Sequence, residues 1–141
     1  MSARISISDA DQVAALTRRA PHAVTVADLV RDALRMRPDR IVIGEIRDGA
    51  AALETLKAWN TGHPDGLSTI HANSAVEAFQ RLEELIAEVA AVAPIRTIQQ
   101  AVDVVVFIRR TPKRRRVEEI VVRQEQGLVA TDAAVAPLMT R

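Results

Sequence analysis

The chain has 141 residues, of which 48% are hydrophobic and 26% charged, and its formal net charge is +1. That length and balance are typical of one globular domain rather than two, and a charge near zero gives no indication of a polyanionic partner. Cysteine is absent, which excludes disulfides, zinc–thiolate sites and thiol catalysis.

The N-terminal segment, residues 1–23, has a weak pattern. Ile5 and Ile7 alternate with serines as in a short strand, and a helix is expected from Asp11 to Arg19, ending before Pro21. The segment has no apolar core of the secretory type, and no apolar run in the chain reaches the length of a membrane span. These features predict a cytoplasmic protein without membrane insertion, peripheral at most to the inner membrane.

A helix is predicted at residues 26–36, followed by a short strand. Thr25 is a suitable N-cap, Asp28 three residues later nearly completes a capping box, and Pro38 stops the helix. The run at residues 41–43 is unbroken and β-branched, which is typical of a strand buried on both faces of a parallel sheet.

The remaining elements follow from the same signals, N-caps and apolar periodicity for helices and apolar runs for strands. In chain order we predict a helix at 49–59 capped by Asp48, a strand at 67–70, a helix at 75–90 opened by a Ser74–Glu77 capping box, a helix at 95–101, and strands at 102–108 and 117–122 that form a hairpin or a corner. The helix at 75–90 carries a long apolar stripe formed by Val76, Phe79, Leu82, Ile86 and Val89.

This order of elements predicts an α/β protein with a single domain. The sequence has no internal repeat and no low-complexity linker that would divide it. Residues 24–125 are expected to form the domain, residues 1–23 a weakly patterned N-terminal segment, and residues 126–141 a loose tail.

The segment RPDRIVIGEIRD, residues 37–48, places a carboxylate directly after a buried strand. In open α/β sheets, ligands collect beyond the carboxyl ends of the strands, where Glu45 could hold a Mg²⁺-bound water or orient an attacking water. Gly44 would let another backbone or a phosphate approach closely. From these residues alone, a solvated Glu45 with a surface pair between Arg47 and Asp48 is the simpler interpretation.

A second segment, TGHPDGLSTIHANSA at residues 61–75, carries histidines on both sides of a short strand. His71 follows this strand, and the helix that begins just after it would offer free N–H groups to an anion, so a histidine there could contact a phosphate. His63 and His71 lack the i, i+4 spacing and the third ligand of a metal site. Taken alone, the segment more simply indicates a partly buried His71 and a Ser74 that only caps a helix.

Six basic residues lie close together near the predicted hairpin turn: Arg109, Arg110, Lys113, Arg114, Arg115 and Arg116. They could bind phosphates or nucleic acid. However, no aromatic residue is interleaved for base stacking, and charges at a turn are usually solvated. Nucleic-acid binding is therefore the least favoured hypothesis.

Three parts of the sequence resemble the type II/IV secretion traffic ATPases, and most of all their conjugal-transfer, TrbB-type branch: LRMRPDRIVIGEIRD, AWNTGHPDGLSTIHANSA, and VVVFIRRTP with RRVEEI. The resemblance runs from about Val24 to Val122. It implies a partial RecA-like P-loop NTPase core of parallel strands and helices with a C-terminal β-hairpin. It also implies a hexameric ring of ATPase subunits that uses ATP and Mg²⁺ to power pilus assembly or export, with inner-membrane secretion proteins as partners.

Residue roles follow from the same resemblance. Residues 41–45 match the Walker B strand, with Glu45 as the catalytic carboxylate and as a ligand of Mg²⁺ through water. Residues 61–73 match the histidine box, with a catalytic His71 near the γ-phosphate. Four more residues are expected at the nucleotide: Gly44, Arg47, Thr69 and His63.

The sequence departs from that family in two places. No GxxxxGK followed by Ser or Thr occurs in the 141 residues, so the phosphate-binding P-loop is missing from them. Asp9 and Asp11 match the family's acidic box poorly. We therefore expect the C-terminal half of a conjugal-transfer ATPase that is inactive alone. The alternative hypothesis is a non-catalytic interaction module that joins or caps a ring of full-length subunits.

Overall fold

The computed structural model describes residues 12–63, 65–91, 95–124 and 127–131. Within these ranges the chain forms, in order, α1 (Val26–Arg35), β1 (Val42–Ile43), α2 (Gly49–Asn60), β2 (Leu67–Ser68), α3 (Ala75–Ala87), α4 (Ile95–Ala101), β3 (Val104–Arg110), β4 (Arg115–Gln124) and β5 (Gly127–Thr131). In the described ranges, no helix is both long and apolar enough to span a bilayer.

β1 and β2 form a parallel pair, and α2 is the crossover between them. Val42 lies opposite Leu67 in the register. Beyond the strands proper, the Ile46 N–H donates to the Thr69 carbonyl at 2.9 Å, which extends the pairing toward the carboxyl ends. The residues that leave β1 and β2 therefore run side by side, as the parallel prediction requires.

A second sheet contains β3, β4 and β5 in that order, all antiparallel. The predicted hairpin is confirmed, and it turns at Thr111, whose N–H donates to the Arg114 carbonyl at 2.8 Å. Where a loose tail is expected from residue 126, the backbone of 127–131 instead pairs with the free edge of β4. The rest of that predicted tail lies outside the described residues.

The core forms around α2, which contacts α1, α3 and α4, while α3 also contacts β3 and β4. The most deeply buried large side chains come from α2, α3 and α4: Leu56, Leu85, Ile86 and Ile98. Gly49 is required at the start of α2, because a β-carbon there would lie 2.0 Å from the Leu85 carbonyl oxygen. The two helices thus approach to a distance that only glycine permits.

The helix expected from Asp11 to Arg19 is absent from the described part of that segment, residues 12–19. Arg18 instead exchanges backbone hydrogen bonds with Val24, at 3.0 and 2.8 Å. Val13 and Leu16 are 75% and 82% exposed, so an apolar helical face has nothing to pack against, and isolated short helices are marginal in water. The strand predicted at Ile5 and Ile7 lies outside the described residues.

Burial of the first strand on both faces is also wrong. Ile41 and Ile43 are buried, but Val42 on the opposite face is 39% exposed, and its neighbour Leu67 is 58% exposed. The described residues cover only one face of this sheet. Similarly, α3 ends at Ala87, and the ends of its predicted apolar stripe are exposed, at Val76 and Val89.

Candidate active site at the ends of the parallel strands

Glu45 lies two residues beyond β1 and contacts two nitrogen-bearing side chains. Its Oε2 accepts a hydrogen bond from Arg47 Nη2 at 2.5 Å, and its Oε1 lies 3.1 Å from His71 Nε2. The Glu45 side chain is only 22% exposed, whereas those of Arg47 and His71 are 77% and 95% exposed. The carboxylate and the imidazole thus meet at the carboxyl edge of the parallel strands, where the sequence predicts them.

Arg47 is the main cause of the lowered pKa of this carboxyl group. The hydrogen bond from Arg47 lowers the pKa of Glu45 below its ordinary value of 4.5; partial burial opposes the shift, and the charges of Arg47 and His71 add to it. The same bond raises the pKa of Arg47 above its ordinary value. Glu45 is therefore ionised at neutral pH and acts only as a hydrogen-bond acceptor.

Thr69 joins the two turns that carry these side chains. Its Oγ1 donates to the Gly44 carbonyl at 2.7 Å, while its own carbonyl accepts from the Ile46 N–H. A β-carbon at Gly44 would meet no atom within 4 Å, so no close approach inside the described chain requires glycine there. Thr69 thus fixes the position of the Glu45 turn relative to the His71 turn.

The competing interpretation of a solvated Glu45 with an Arg47–Asp48 surface pair is wrong. Arg47 pairs with Glu45, whereas the Asp48 side chain accepts from the Ala51 N–H at 2.8 Å and caps α2. Because the cap uses the carboxylate of Asp48, the guanidinium of Arg47 is left to the site.

The start of α3 offers fewer free N–H groups to an anion than the sequence predicts. The Ala75 N–H donates to Glu119 of β4 at 2.8 Å, and the Glu77 N–H donates to the Ser74 hydroxyl at 3.1 Å. The Asn73 N–H in turn donates to the Glu77 carboxylate. Side chains of the protein satisfy these three donors, which leaves the nearby arginine and histidine side chains as the main groups that could bind an anion here.

Two adjacent open clefts border this cluster, with volumes of about 340 and 280 Å³. The first, here called the front cleft, is lined by Glu45, Ile46, Arg47, Ile70, His71, Arg81 and Leu85. The second, the side cleft, is lined by His71, Ala72, Asn73, Glu77, Gln80, Arg81 and Glu84. His71 and Arg81 belong to both linings and separate the two clefts.

Arg81 was missed in the sequence analysis. A signal for it exists, because Glu77, Arg81 and Glu84 recur at helical spacing and form a polar stripe on α3. The apolar stripe of the same helix, which predicts its buried face, does not include Arg81. The polar stripe faces the turn that contains His71, as the lining of the side cleft records.

His63 is placed apart from the other predicted site residues. It precedes β2, whereas His71 follows it, and it lines neither cleft. Its Nδ1 is buried and, within the described structure, has no hydrogen-bond partner. A contact between His63 and a nucleotide stays a prediction.

The site carries more cationic groups than metal ligands. No group of three or more His, Asp or Glu side chains in the described ranges could hold a metal ion. Among the described residues that line the front cleft, Glu45 is the single carboxylate, and Arg47 and His71 already contact it. The residues present therefore fit an anion such as a phosphate group better than a directly coordinated Mg²⁺ ion.

Residues 2–136 match the family model described as "Type II/IV secretion system protein". The chain belongs to this family. Among its members, it is 50% identical over 107 residues to a probable conjugal transfer protein TrbB from Sinorhizobium fredii and 52% identical over 98 residues to a conjugal transfer protein TrbB from Rhizobium radiobacter.

Solved structures of this secretion family show the same fold. The VirB11 ATPase of Brucella suis, in complex with sulphate, superimposes with a TM-score of 0.63 at 29% identity over 70% of this chain. The ATPase DotB of Legionella pneumophila gives a TM-score of 0.59, also at 29% identity, over 75% of the chain. The prediction of an α/β, partial RecA-like core is confirmed.

The match covers only part of the relatives. The alignments span 76% and 70% of this chain but 33% and 30% of the two TrbB proteins, and 32% of the VirB11 structure. The chain thus corresponds to about a third of the length of its relatives in the family.

Proposed function

We propose that this chain forms the C-terminal part of an ATP-hydrolysing subunit of a conjugal-transfer or type IV secretion machine. The observation that carries the proposal is the Glu45 carboxylate, which pairs with Arg47 and lies 3.1 Å from His71 at the ends of two parallel strands. Its relatives supply the biological context, because they are named as conjugal transfer proteins and as a secretion ATPase.

In this proposal the segment at 41–45 is the Walker B strand, and Glu45 orients the water that attacks the γ-phosphate of ATP. A Mg²⁺ ion bound with the nucleotide would supply charge neutralisation at the phosphates, and Glu45 would contact it only through water. His71 and Arg47 face the same cleft and would contact the developing charge on phosphate oxygens. The sulphate bound by the related VirB11 ATPase is consistent with an anion site in this family.

Gly44 and Thr69 have supporting parts in the proposed site. The Thr69 hydroxyl holds the Gly44 carbonyl, and the open space at Gly44 leaves room for a phosphate. By analogy with the named secretion proteins, we propose a hexameric ring of such subunits on the cytoplasmic face of the inner membrane. Its partners would then be other ATPase subunits and inner-membrane secretion proteins.

A chimaera tests this function directly. In the TrbB protein of Rhizobium radiobacter, the matching third is replaced by residues 12–131 of this chain, and ATP hydrolysis is measured. The chimaera is expected to hydrolyse ATP, and Glu45→Gln is expected to lower the rate at least about 100-fold, because removing a catalytic acid or base has effects of that order.

Glu54→Gln is the matched control in the chimaera. The Glu54 side chain is also 22% exposed and also pairs with cations, Lys57 at 3.2 Å and Arg31 at 3.7 Å, but it lies on α2 and lines neither cleft. Its substitution should leave the rate within about twofold, since such pairs contribute little. Equal losses from the two substitutions, or none from Glu45→Gln, would refute the proposed role.

A specific observation favours a second candidate, the non-catalytic module that joins a ring of full-length subunits. Five aliphatic side chains of the strands are between 39% and 58% exposed: Val42, Leu67, Val104, Val106 and Ile108. Exposed apolar rows of this kind mark surfaces that bind other protein segments.

The docking hypothesis predicts that the chain binds a full-length TrbB relative and lowers its ATP hydrolysis rate. Val106→Asp should abolish both effects, whereas Leu16→Asp should not, because Leu16 is 82% exposed but lies outside the sheets. Size-exclusion chromatography of the mixture measures binding, and identical behaviour of the two variants would exclude this function.

A further inference from the structure

The front cleft has one fixed positive charge that no carboxylate of the same cleft compensates. Its lining includes a single carboxylate, Glu45, which Arg47 already neutralises through a 2.5 Å contact. Arg81 supplies a second guanidinium to this lining. Ile70 and Leu85 form apolar walls beside it, where an electrostatic attraction is less screened than in open water.

Arg81 forms a weak ion pair with Glu84, which does not line the front cleft. Its Nη1 lies 3.0 Å from Glu84 Oε2, and the two side chains are 43% and 65% exposed. Exposed pairs at i, i+3 contribute little stability and exchange readily. Glu84 lines the side cleft but not the front cleft, whereas Arg81 lines both.

We propose that Arg81 is a further substrate-contacting residue, which leaves Glu84 and binds an anionic phosphate group in the front cleft. A planar guanidinium can donate to two phosphate oxygens at once, whereas its contact with Glu84 joins a single pair of atoms. The inference rests on the proposed function, which identifies the phosphate as part of a nucleotide. Arg81 then contacts the phosphate from α3, while Arg47 and His71 contact it from the turns after the strands.

Titration of the 141-residue chain with inorganic pyrophosphate, followed by the NMR signals of arginine Nε–H groups and backbone amides, tests this contact. Arg81→Ala is expected to weaken binding about fivefold, and Arg81→Lys should restore part of it, because a single charge-assisted contact in an open cleft has an effect of this size. Arg35→Ala is the matched control, since Arg35 is also a helical arginine in an i, i+3 pair, with Asp32 at 3.9 Å, and lies on α1. It should leave the affinity unchanged.

Glu84→Gln should act in the opposite direction. It removes the competing partner of Arg81, so pyrophosphate should bind about twofold more tightly, and the Arg81 Nε–H signal should shift at a lower concentration. Removal of a negative charge also reduces repulsion of the anion, so the contact predicts in addition that most of the gain is lost in the Glu84→Gln/Arg81→Ala double variant.

The outcomes separate the two proposals. If pyrophosphate binding is weakened by Arg47→Ala but is the same in Arg81→Ala and the wild type, the Arg81 contact is refuted and the proposed function stands. If the wild-type chain does not bind pyrophosphate at all, the Arg81 contact is refuted, whereas the proposed function is decided separately by ATP hydrolysis of the TrbB chimaera.

Discussion

The pKa of Glu45 depends on its hydrogen bond from Arg47. Removing its hydrogen-bond donor with Arg47→Ala should raise the pKa of Glu45 toward its ordinary value of 4.5, because the bond from Arg47 is the largest cause of its lowered pKa. Titration of the glutamate carboxyl ¹³C signals measures the shift. Arg35→Ala, which changes an arginine distant from Glu45, should leave that titration unchanged.

The same pair predicts how stability depends on pH. Because the folded-state pKa of Glu45 is lowered, its contribution is fully present above the ordinary value of 4.5 and is lost as the pH falls through the folded-state pKa. The free energy of unfolding of Arg47→Ala should therefore be below that of the wild type at pH 7, and the two should converge in strongly acidic solution. A difference independent of pH would contradict the assigned ion pair.

At the level of residues, sequence alone could predict which side chains meet but not how they are paired. Glu45 and His71 each follow a strand, and the carboxyl ends of parallel strands share one edge, so their proximity follows from topology. The partner of Arg47 depends on the backbone of a short turn and on Asp48 being used as a cap. The choice of partner for Arg47 therefore depends on the local backbone geometry, which cannot be read from residue types and spacing alone.

Among the elements, α3 depends on a contact from the distant strand β4. Glu119 accepts from the Ala75 N–H at the first turn of α3, where a negative charge is also favoured by the helix dipole. Glu119→Ala should lower the free energy of unfolding by about 1 kcal/mol and speed amide hydrogen exchange at the start of α3. Urea denaturation and exchange measure the two effects.

Glu118→Ala is the control for that prediction. Glu118 directly precedes Glu119 in β4 and forms an exposed ion pair with Arg109. Its removal should change stability by less than about 0.5 kcal/mol. If both substitutions act equally, the bond to α3 does not hold the helix.

The contact between α2 and α3 gives a second prediction at this scale. Gly49→Ala should destabilise the fold by about 1–3 kcal/mol, since its β-carbon would collide with the Leu85 carbonyl and overpacking has effects of that size. Gly44→Ala, whose β-carbon would meet nothing within 4 Å, should be close to neutral. Thermal unfolding measures the stability of both variants. Equal melting temperatures would contradict the close contact between Gly49 and Leu85.

The sequence predicted the helices better than the strand limits. Caps are local, and Thr25, Asp48 and Ser74 each accept the backbone hydrogen bond expected of an N-cap. The strand expected at 67–70 is limited to Leu67–Ser68, and β5 was not predicted, because strand pairing depends on residues far apart in the chain. The helix expected at 11–19 is not present in residues 12–19, because an apolar helical face stabilises a helix only when it packs against a core.

For the whole molecule, we predict that the 141-residue chain alone does not turn over ATP and binds it with a dissociation constant weaker than about 1 mM. The P-loop backbone and lysine normally hold the β- and γ-phosphates, and no such motif occurs in these residues. Isothermal titration calorimetry measures the affinity. A micromolar dissociation constant, or turnover abolished by Glu45→Gln, would contradict this prediction.

The fold class of the chain was predictable from the sequence, but the exposure of one face of its parallel sheet was not. The order of helices and strands indicated an α/β protein, and the resemblance of its segments indicated the secretion family to which it belongs. The exposed Val42 and Leu67 were not foreseen, because burial depends on what covers the second face of the sheet.

In the proposed function, Glu45 and His71 act together on one phosphate group. A double-mutant cycle in the TrbB chimaera, with ATP hydrolysis rates for Glu45→Gln, His71→Ala and the double variant, tests it most directly. We predict that each substitution lowers the rate and that the double variant is hardly slower than Glu45→Gln alone, because residues acting as a unit are strongly non-additive. Losses that simply multiply, or a His71→Ala variant as fast as the unmodified chimaera, would contradict the account.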